Sequence, residues 1–142
     1  MGDREHKELS SKIRARVAVL CITDSRMPDT DESGKIVKGV LERKGHLVSE
    51  HLLIKNDMNA ISNAVQDLIQ RQDIDAVVTI GGTGLSKKDL TIEVVSKLIE
   101  KRLEGFGELF RSLSYDQIGS SAMMSRALAG IAKGKIVMSI PG

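Results

Sequence analysis

Gly81-Gly82-Thr83-Gly84, with Lys87, Lys88 and Asp89 behind it, is the stretch whose residue types best suit chemistry. Glycines let the main chain take positive φ and let another molecule come within contact distance of it. Beyond them Ile92, Val95, Leu98 and Ile99 recur at helical spacing, and a helix start presents unpaired N–H groups at its positive dipole end. A phosphate or another anion suits such a place. A tight turn joining two elements is the alternative, and the glycines alone leave both readings open.

Two better-known phosphate motifs do not fit. A P-loop needs Gly-Lys-Ser/Thr after four intervening residues, but the fifth position after Gly81 is Ser86 and after Gly82 is Lys87. The dinucleotide fingerprint needs a third glycine where Leu85-Ser86-Lys87 stands. Asp89 reads either as a helix-start carboxylate or as a ligand for Mg²⁺, which takes oxygens from one or two carboxylates and from phosphate. Asp57 reads more simply as a helix N-cap. Asp24, Asp57 and Asp89 beside an anion loop with lysines would suit phosphoryl or nucleotidyl transfer, which is mostly positioning and charge neutralisation.

These residues are joined by alternating strands and helices. Arg16 to Ile22 reads as a first strand, apolar after Arg16 and therefore covered on both faces. A polar loop with Thr23, Asp24, Ser25 and Asp31 follows. Ile36, Val37, Val40 and Leu41 mark a helix ending by Gly45; Leu47 to Ile54 is a second strand; Asp57 to about Arg71 is a second helix. Ile74 to Ile80 is a third strand and Thr91 to about Lys101 a third helix. Such alternation predicts an α/β fold with a mainly parallel sheet, whose ligands sit at the carboxyl ends of the strands. A helix opens at Gly105, another is expected from Gly119 through Met124, Ser125, Arg126 and Ile131, and Lys135 to Ile140 is a last strand. Pro141-Gly142 is an odd place for a domain to finish, so a further helix is expected after it.

The 142 residues make most simply one domain, 15–142, behind a polar, loose or weakly helical extension, 1–14. Apolar residues are 41% and aromatics 2%, so Val, Ile, Leu, Ala and Met must build the core. A net charge of +2 gives no argument for nucleic acid. No apolar span reaches membrane length and no secretory leader is present, so a cytoplasmic protein is expected. Cys21, in an apolar run, reads as a buried thiol. His6, His46 and His51 are isolated in sequence, without zinc-like spacing.

The ordered set Thr23-Asp24-Ser25-Arg26, Asp31-Glu32-Ser33-Gly34, Gly81-Gly82-Thr83-Gly84 with Asp89 and Thr91, Gly105-Phe106-Gly107-Glu108, Ser125-Arg126-Ala127 and Pro141-Gly142 resembles the MoaB/Mog molybdopterin-binding family. The resemblance covers about Arg16 to Gly142 and leans to the MoaB branch. It implies a three-layer α/β/α domain assembling as a trimer or hexamer. In active members molybdopterin is adenylylated by Mg-ATP, giving adenylyl-molybdopterin and pyrophosphate before molybdate is inserted. By the same resemblance Asp57 and Asp89 match the two required aspartates, with Mg²⁺ on Asp89 helped by Asp57. Gly81, Gly82, Thr83, Gly84 and Lys88, the Thr23, Asp24 and Ser25 segment, and Ser125, Pro141 and Gly142 match the phosphate- and substrate-binding cleft. Lys88 stands where active members commonly carry an arginine. The molybdate-insertion protein is an implied partner. A carrier that binds molybdopterin without reacting it, or a domain serving mainly to oligomerise, are the competing readings.

Overall fold

In the computed structural model, residues 13–25, 27 and 30–142 are described. β1 (Arg16–Ile22) buries every residue after Arg16. Alternation sends Ala18, Leu20 and Ile22 to one face and Val17, Val19 and Cys21 to the other, and each set joins a separate core cluster. Both faces are therefore covered, as its unbroken apolar sequence requires.

The α1 helix (Glu32–Arg43) begins at Asp31, whose carboxylate accepts the Gly34 N–H. It packs Val37 and Leu41 against the Cys21 side of the sheet, while Ile36 and Val40 are 66% and 43% exposed. Its buried face is thus rotated from the apolar stripe read in the sequence. β2 (Leu47–Ile54) pairs parallel to β1, and α2 (Met58–Gln70) carries Ile61, Val65, Leu68 and Ile69 onto the Leu20 side. Asp57 is its N-cap, as expected. β3 (Ala76–Ile80) is wholly buried, and α3 (Thr91–Leu98) lies on the same side as α2. It ends at Leu98, before the expected Lys101, because Lys101 and Arg102 form a short strand, β4.

α4 (Glu104–Ile118) stops at Gly119, whose φ is 67°, and a 3₁₀ turn spans Gly119–Met124. The expected helix through Ile131 does not form. Leu128–Ala132 is instead β5, placing Ser125 and Arg126 on a connecting loop. The mixture of small and apolar residues there fits a helix face as well as a strand, and pairing with β4 and β6 decides it. Lys133 and Gly134 turn the chain between β5 and the strand after it with φ of 50° and 77°, and positive φ at both central residues is what a tight type I′ hairpin needs. β6 (Lys135–Ile140) then closes the chain against β3.

The six-stranded sheet has order β2-β1-β3-β6-β5-β4, parallel through β6 and antiparallel beyond it. Four helices accompany it among the described residues. A buried Thr79 hydroxyl donates to Ser139 Oγ at 2.7 Å and ties β3 to β6. The expected loose extension over 1–14 falls almost wholly outside the described residues.

Candidate functional site

Parallel strands leave their carboxyl ends on one edge, and hydrogen bonds lock three of the loops there. Asp24 Oδ1, after β1, accepts the Asn56 N–H at 3.0 Å. Asn56, after β2, donates through Nδ2 to the Lys88 carbonyl at 2.8 Å, in the loop after β3. Asn56 is thus the pin of the edge, a role its sequence position gave no reason to expect.

The glycine loop is held from below. The Gly81 N–H donates to the Ile140 carbonyl and the Thr91 N–H to the Gly82 carbonyl. Gly81 and Gly82 have φ of 98° and 69°, and a Cβ on Gly82 would collide with Thr91 Oγ1, so both positions demand glycine. Asp89 Oδ2 accepts the Ser86 N–H at 3.0 Å, and its carboxylate lies directly under Gly84.

Arg126 fastens the loop from the side. Its Nε donates to the Thr83 carbonyl at 2.8 Å, its Nη2 to the Gly84 carbonyl at 2.6 Å, and Nη1 and Nη2 both grip Glu93, at 2.7 and 3.0 Å. Hydrogen bonding to Glu93 raises the guanidinium above its ordinary pKa, so the clamp stays charged. By itself the sequence gives this arginine no role beyond its place in the Ser125-Arg126-Ala127 motif, because its partners lie more than thirty positions away.

Above the loop opens a cleft of about 300 Å³, lined by Gly82, Thr83, Gly84, Asp89, Met124, Ser125, Arg126, Pro141 and Gly142. A second hollow, of about 220 Å³, is lined by Cys21, Thr23, Ser25, Ile80, Gly81 and Gly142. Gly142 borders both. Most of the expected site residues therefore meet around the glycine loop, although Ser125 arrives from a loop in place of a helix. Asp24, Asp57 and Lys88 share the edge but line neither hollow. Asp57 Oδ2 is occupied by the Ala60 N–H at 2.9 Å as an N-cap.

The donors of this edge fit Mg²⁺ in kind. Asp24, Asp57 and Asp89 each give one oxygen to a backbone N–H, and Asn56 Oδ1 is buried with no hydrogen-bond partner among the described residues. Hard oxygens are the ligands that this cation takes.

One grouping was invisible in the sequence. The thiol, histidine and carboxylate of Cys21, His51 and Asp31, isolated along the chain, meet on the α1 side of the sheet. Burial works to raise the Asp31 pKa, but hydrogen bonds with Cys21, His51 and Gly34 outweigh it and hold the carboxyl below its usual value.

A family model described as "Probable molybdopterin binding domain" matches residues 18–142. The chain belongs to this family. It is 45% identical over 143 residues to molybdenum cofactor biosynthesis protein B of Bacillus anthracis, covering all of this chain and 84% of the relative. The Bacillus subtilis protein of the same name is 41% identical at the same coverage. A crystal structure of molybdenum cofactor biosynthesis protein B superposes with a TM-score of 0.88 at 44% identity, over 92% of this chain and 81% of that one. The tungsten cofactor synthesizing protein MoaB from Pyrococcus furiosus gives 0.80 at 33% identity, over 91% and 82%. The domain is thus a molybdenum cofactor biosynthesis protein of the MoaB family with the fold those structures share. Among its described residues no helix is long and apolar enough to cross a membrane.

Proposed function

We propose that this domain binds molybdopterin and ATP across the glycine-loop cleft and transfers AMP to the pterin. An oxygen of the pterin's terminal phosphate attacks the α-phosphorus of ATP; the bond from that phosphorus to the bridging oxygen of the β-phosphate breaks, and pyrophosphate leaves with the electron pair. No covalent nucleophile from the protein is needed, and positioning with charge neutralisation carries the reaction. The observation that carries this reading is the loop itself. Its carbonyls are turned to Arg126 and held, its two positive-φ glycines open the main chain to a phosphate, and Asp89 lies beneath it beside the cleft.

Asp89 is the first carboxylate for Mg²⁺, with Asp57 and the orphaned Asn56 oxygen at the same edge. Bound there, Mg²⁺ supplies neutralisation of the phosphate charge. Lys88, its main chain fixed by Asn56, adds a flexible point charge. Ser125, Pro141 and Gly142 line the same cleft, and Thr23 and Ser25, with Asp24 between them in the chain, border the second hollow that Gly142 shares.

A second reading has its own observation. Asp57 serves as an N-cap and does not line the cleft with Asp89, which favours a carrier that holds molybdopterin unchanged. Incubation with molybdopterin, ATP and Mg²⁺, following pyrophosphate and adenylyl-pterin, separates the two. Product from the native chain and none from Asp89→Asn supports the transferase; pterin binding without product hands the site to the carrier reading.

We also propose that the chain works as a homo-oligomer, a trimer or a hexamer. Leu109, Leu113, Ile118 and Met123, from α4 and the turn after it, are 62%, 60%, 54% and 80% exposed. Apolar surface gathered in this way marks an interaction face. Delivery of the product to the molybdate-insertion protein, in the cytoplasm, follows from the same reading.

A further inference from the structure

The alternation along β1 that turns Leu20 toward α2 turns Cys21 toward α1. There it meets Asp31, the buried N-cap of α1, and His51 from β2. Asp31 Oδ2 lies 2.7 Å from His51 Nε2, and Cys21 Sγ lies 3.8 Å from the same nitrogen. One donor atom from each residue lies within 4.8 Å of the other two. Gly34 closes the group on one side: a Cβ there would collide with Asp31 Oδ2, His51 Nε2 and Cys21 Sγ together, so the three donors converge on one small space. The second Asp31 oxygen accepts the Gly34 N–H at 3.1 Å, which fixes the carboxylate's direction. His51 keeps 23% of its side chain exposed and gives the group its access to solvent.

We propose that Cys21, Asp31 and His51 bind one divalent d-block cation of the zinc class. Sulfur, imidazole nitrogen and carboxylate oxygen are the donors such ions take, whereas Mg²⁺ and Ca²⁺ require oxygen alone. Charge balance favours the same ion. A thiolate and a carboxylate cancel the charge of a divalent cation and neutral imidazole adds none, so the occupied site is uncharged where burial makes net charge costly. Binding forms three metal–ligand bonds and releases one proton from the Cys21 thiol, with His51 entering as the tautomer protonated on Nδ1. Three protein donors leave a tetrahedral ion one further position. The ion ties the end of β1 to β2 and to the start of α1, directly before Thr23, and Cys21 also lines the hollow shared with Ser25, Gly81 and Gly142. This site is separate in ligand chemistry from the all-oxygen edge and does not depend on adenylyl transfer.

The test titrates the chelator-stripped full chain with Co²⁺. One equivalent is expected to bind with intense near-ultraviolet sulfur-to-cobalt charge transfer, to be displaced by Zn²⁺, and to be untouched by excess Mg²⁺. Zn²⁺ loading should raise the thermal midpoint. Cys21→Ala should abolish the charge-transfer band, and His51→Gln should weaken binding beyond the ~10–100-fold that loss of an outer-shell partner costs. His51 is half-buried, so its variant carries the test should Cys21→Ala fail to fold by circular dichroism. Absence of saturable Co²⁺ binding to the native chain, a spectrum without the thiolate band, a band that survives Cys21→Ala, Co²⁺ affinity unchanged in His51→Gln, or displacement by Mg²⁺ would each overturn the proposal.

Discussion

The glycine-loop edge and the α4 segment with its 3₁₀ turn both lie at the surface, yet they are built in opposite ways. At the edge, main-chain groups of Gly81, Gly82, Thr83, Gly84, Asn56 and Lys88 are bound to Ile140, to Thr91, to Arg126, to the Asp24 carboxylate or to the Asn56 side chain. Around α4, Leu109, Leu113 and Met123 face water, and the segment's only stacked aromatic pair among the described residues is Phe106 with Phe110. The difference teaches that the glycine loop takes its shape from contacts within one chain, while the apolar side chains of α4 find no cover within it. Met124 belongs to both, 56% exposed in the turn and lining the cleft. In the proposed oligomer, assembly would reach the cleft through that residue.

The sharpest way to test the cradle is Asp89→Asn. The amide oxygen can still accept the Ser86 N–H, so the loop keeps its shape while the charge is lost. Adenylyl transfer is expected to fall ~100–1,000-fold, the scale of losing one preorganised electrostatic group; wild-type rates in pyrophosphate release would remove Asp89 from the mechanism. Next comes Arg126→Met, which strips the clamp from the Thr83 and Gly84 carbonyls and unpairs Glu93. Folding stability should drop by about 1–3 kcal/mol, as for buried carbonyls left unmatched, and KM for ATP should rise, both read by denaturant melts and steady-state kinetics. An unchanged KM would show that the loop holds itself.

Leu113→Asp probes the other side of the comparison. Sedimentation should show smaller species with the monomer's far-ultraviolet spectrum intact, and a stability change within about 0.5 kcal/mol per chain, since the residue is already solvated in the single chain. If that variant also loses all pterin binding, the cradle is not complete within one chain and the contrast drawn above fails.

The smallest effect belongs to neither region. Arg16 pairs with Asp75 at the amino ends of the strands, with Nε 3.0 Å from Oδ2, and hydrogen bonds from Arg16 bring the Asp75 pKa down to about 2. A carboxyl depressed by folding stabilises the native state above its unfolded value, near 3.9, and that contribution disappears as the pH falls toward about 2. Both side chains are more than two-fifths exposed and screened by solvent, so Arg16→Gln should change stability little at neutral pH and flatten the acid limb of the melting-temperature profile. Parallel acid profiles for the two proteins would deny the pair any part in acid stability.

The sequence by itself determined the parallel half of the sheet. An unbroken apolar run at Val17–Ile22, helical spacing at Ile61, Val65, Leu68 and Ile69, and Asp57 as their cap are local facts, and local periodicity is decided by which face a residue must bury. It also marked the glycine loop, because positive φ at Gly81 and Gly82 is a requirement written residue by residue. Only the tertiary structure decided that Leu128–Ala132 is a strand, since its partners in β4 and β6 outvote an ambiguous pattern. The same holds for the clamp by Arg126, the pin at Asn56 and the meeting of Cys21, Asp31 and His51. Each joins residues distant in sequence, and no local spacing records which side chains the crossing of strands and helices will bring within a hydrogen bond's length.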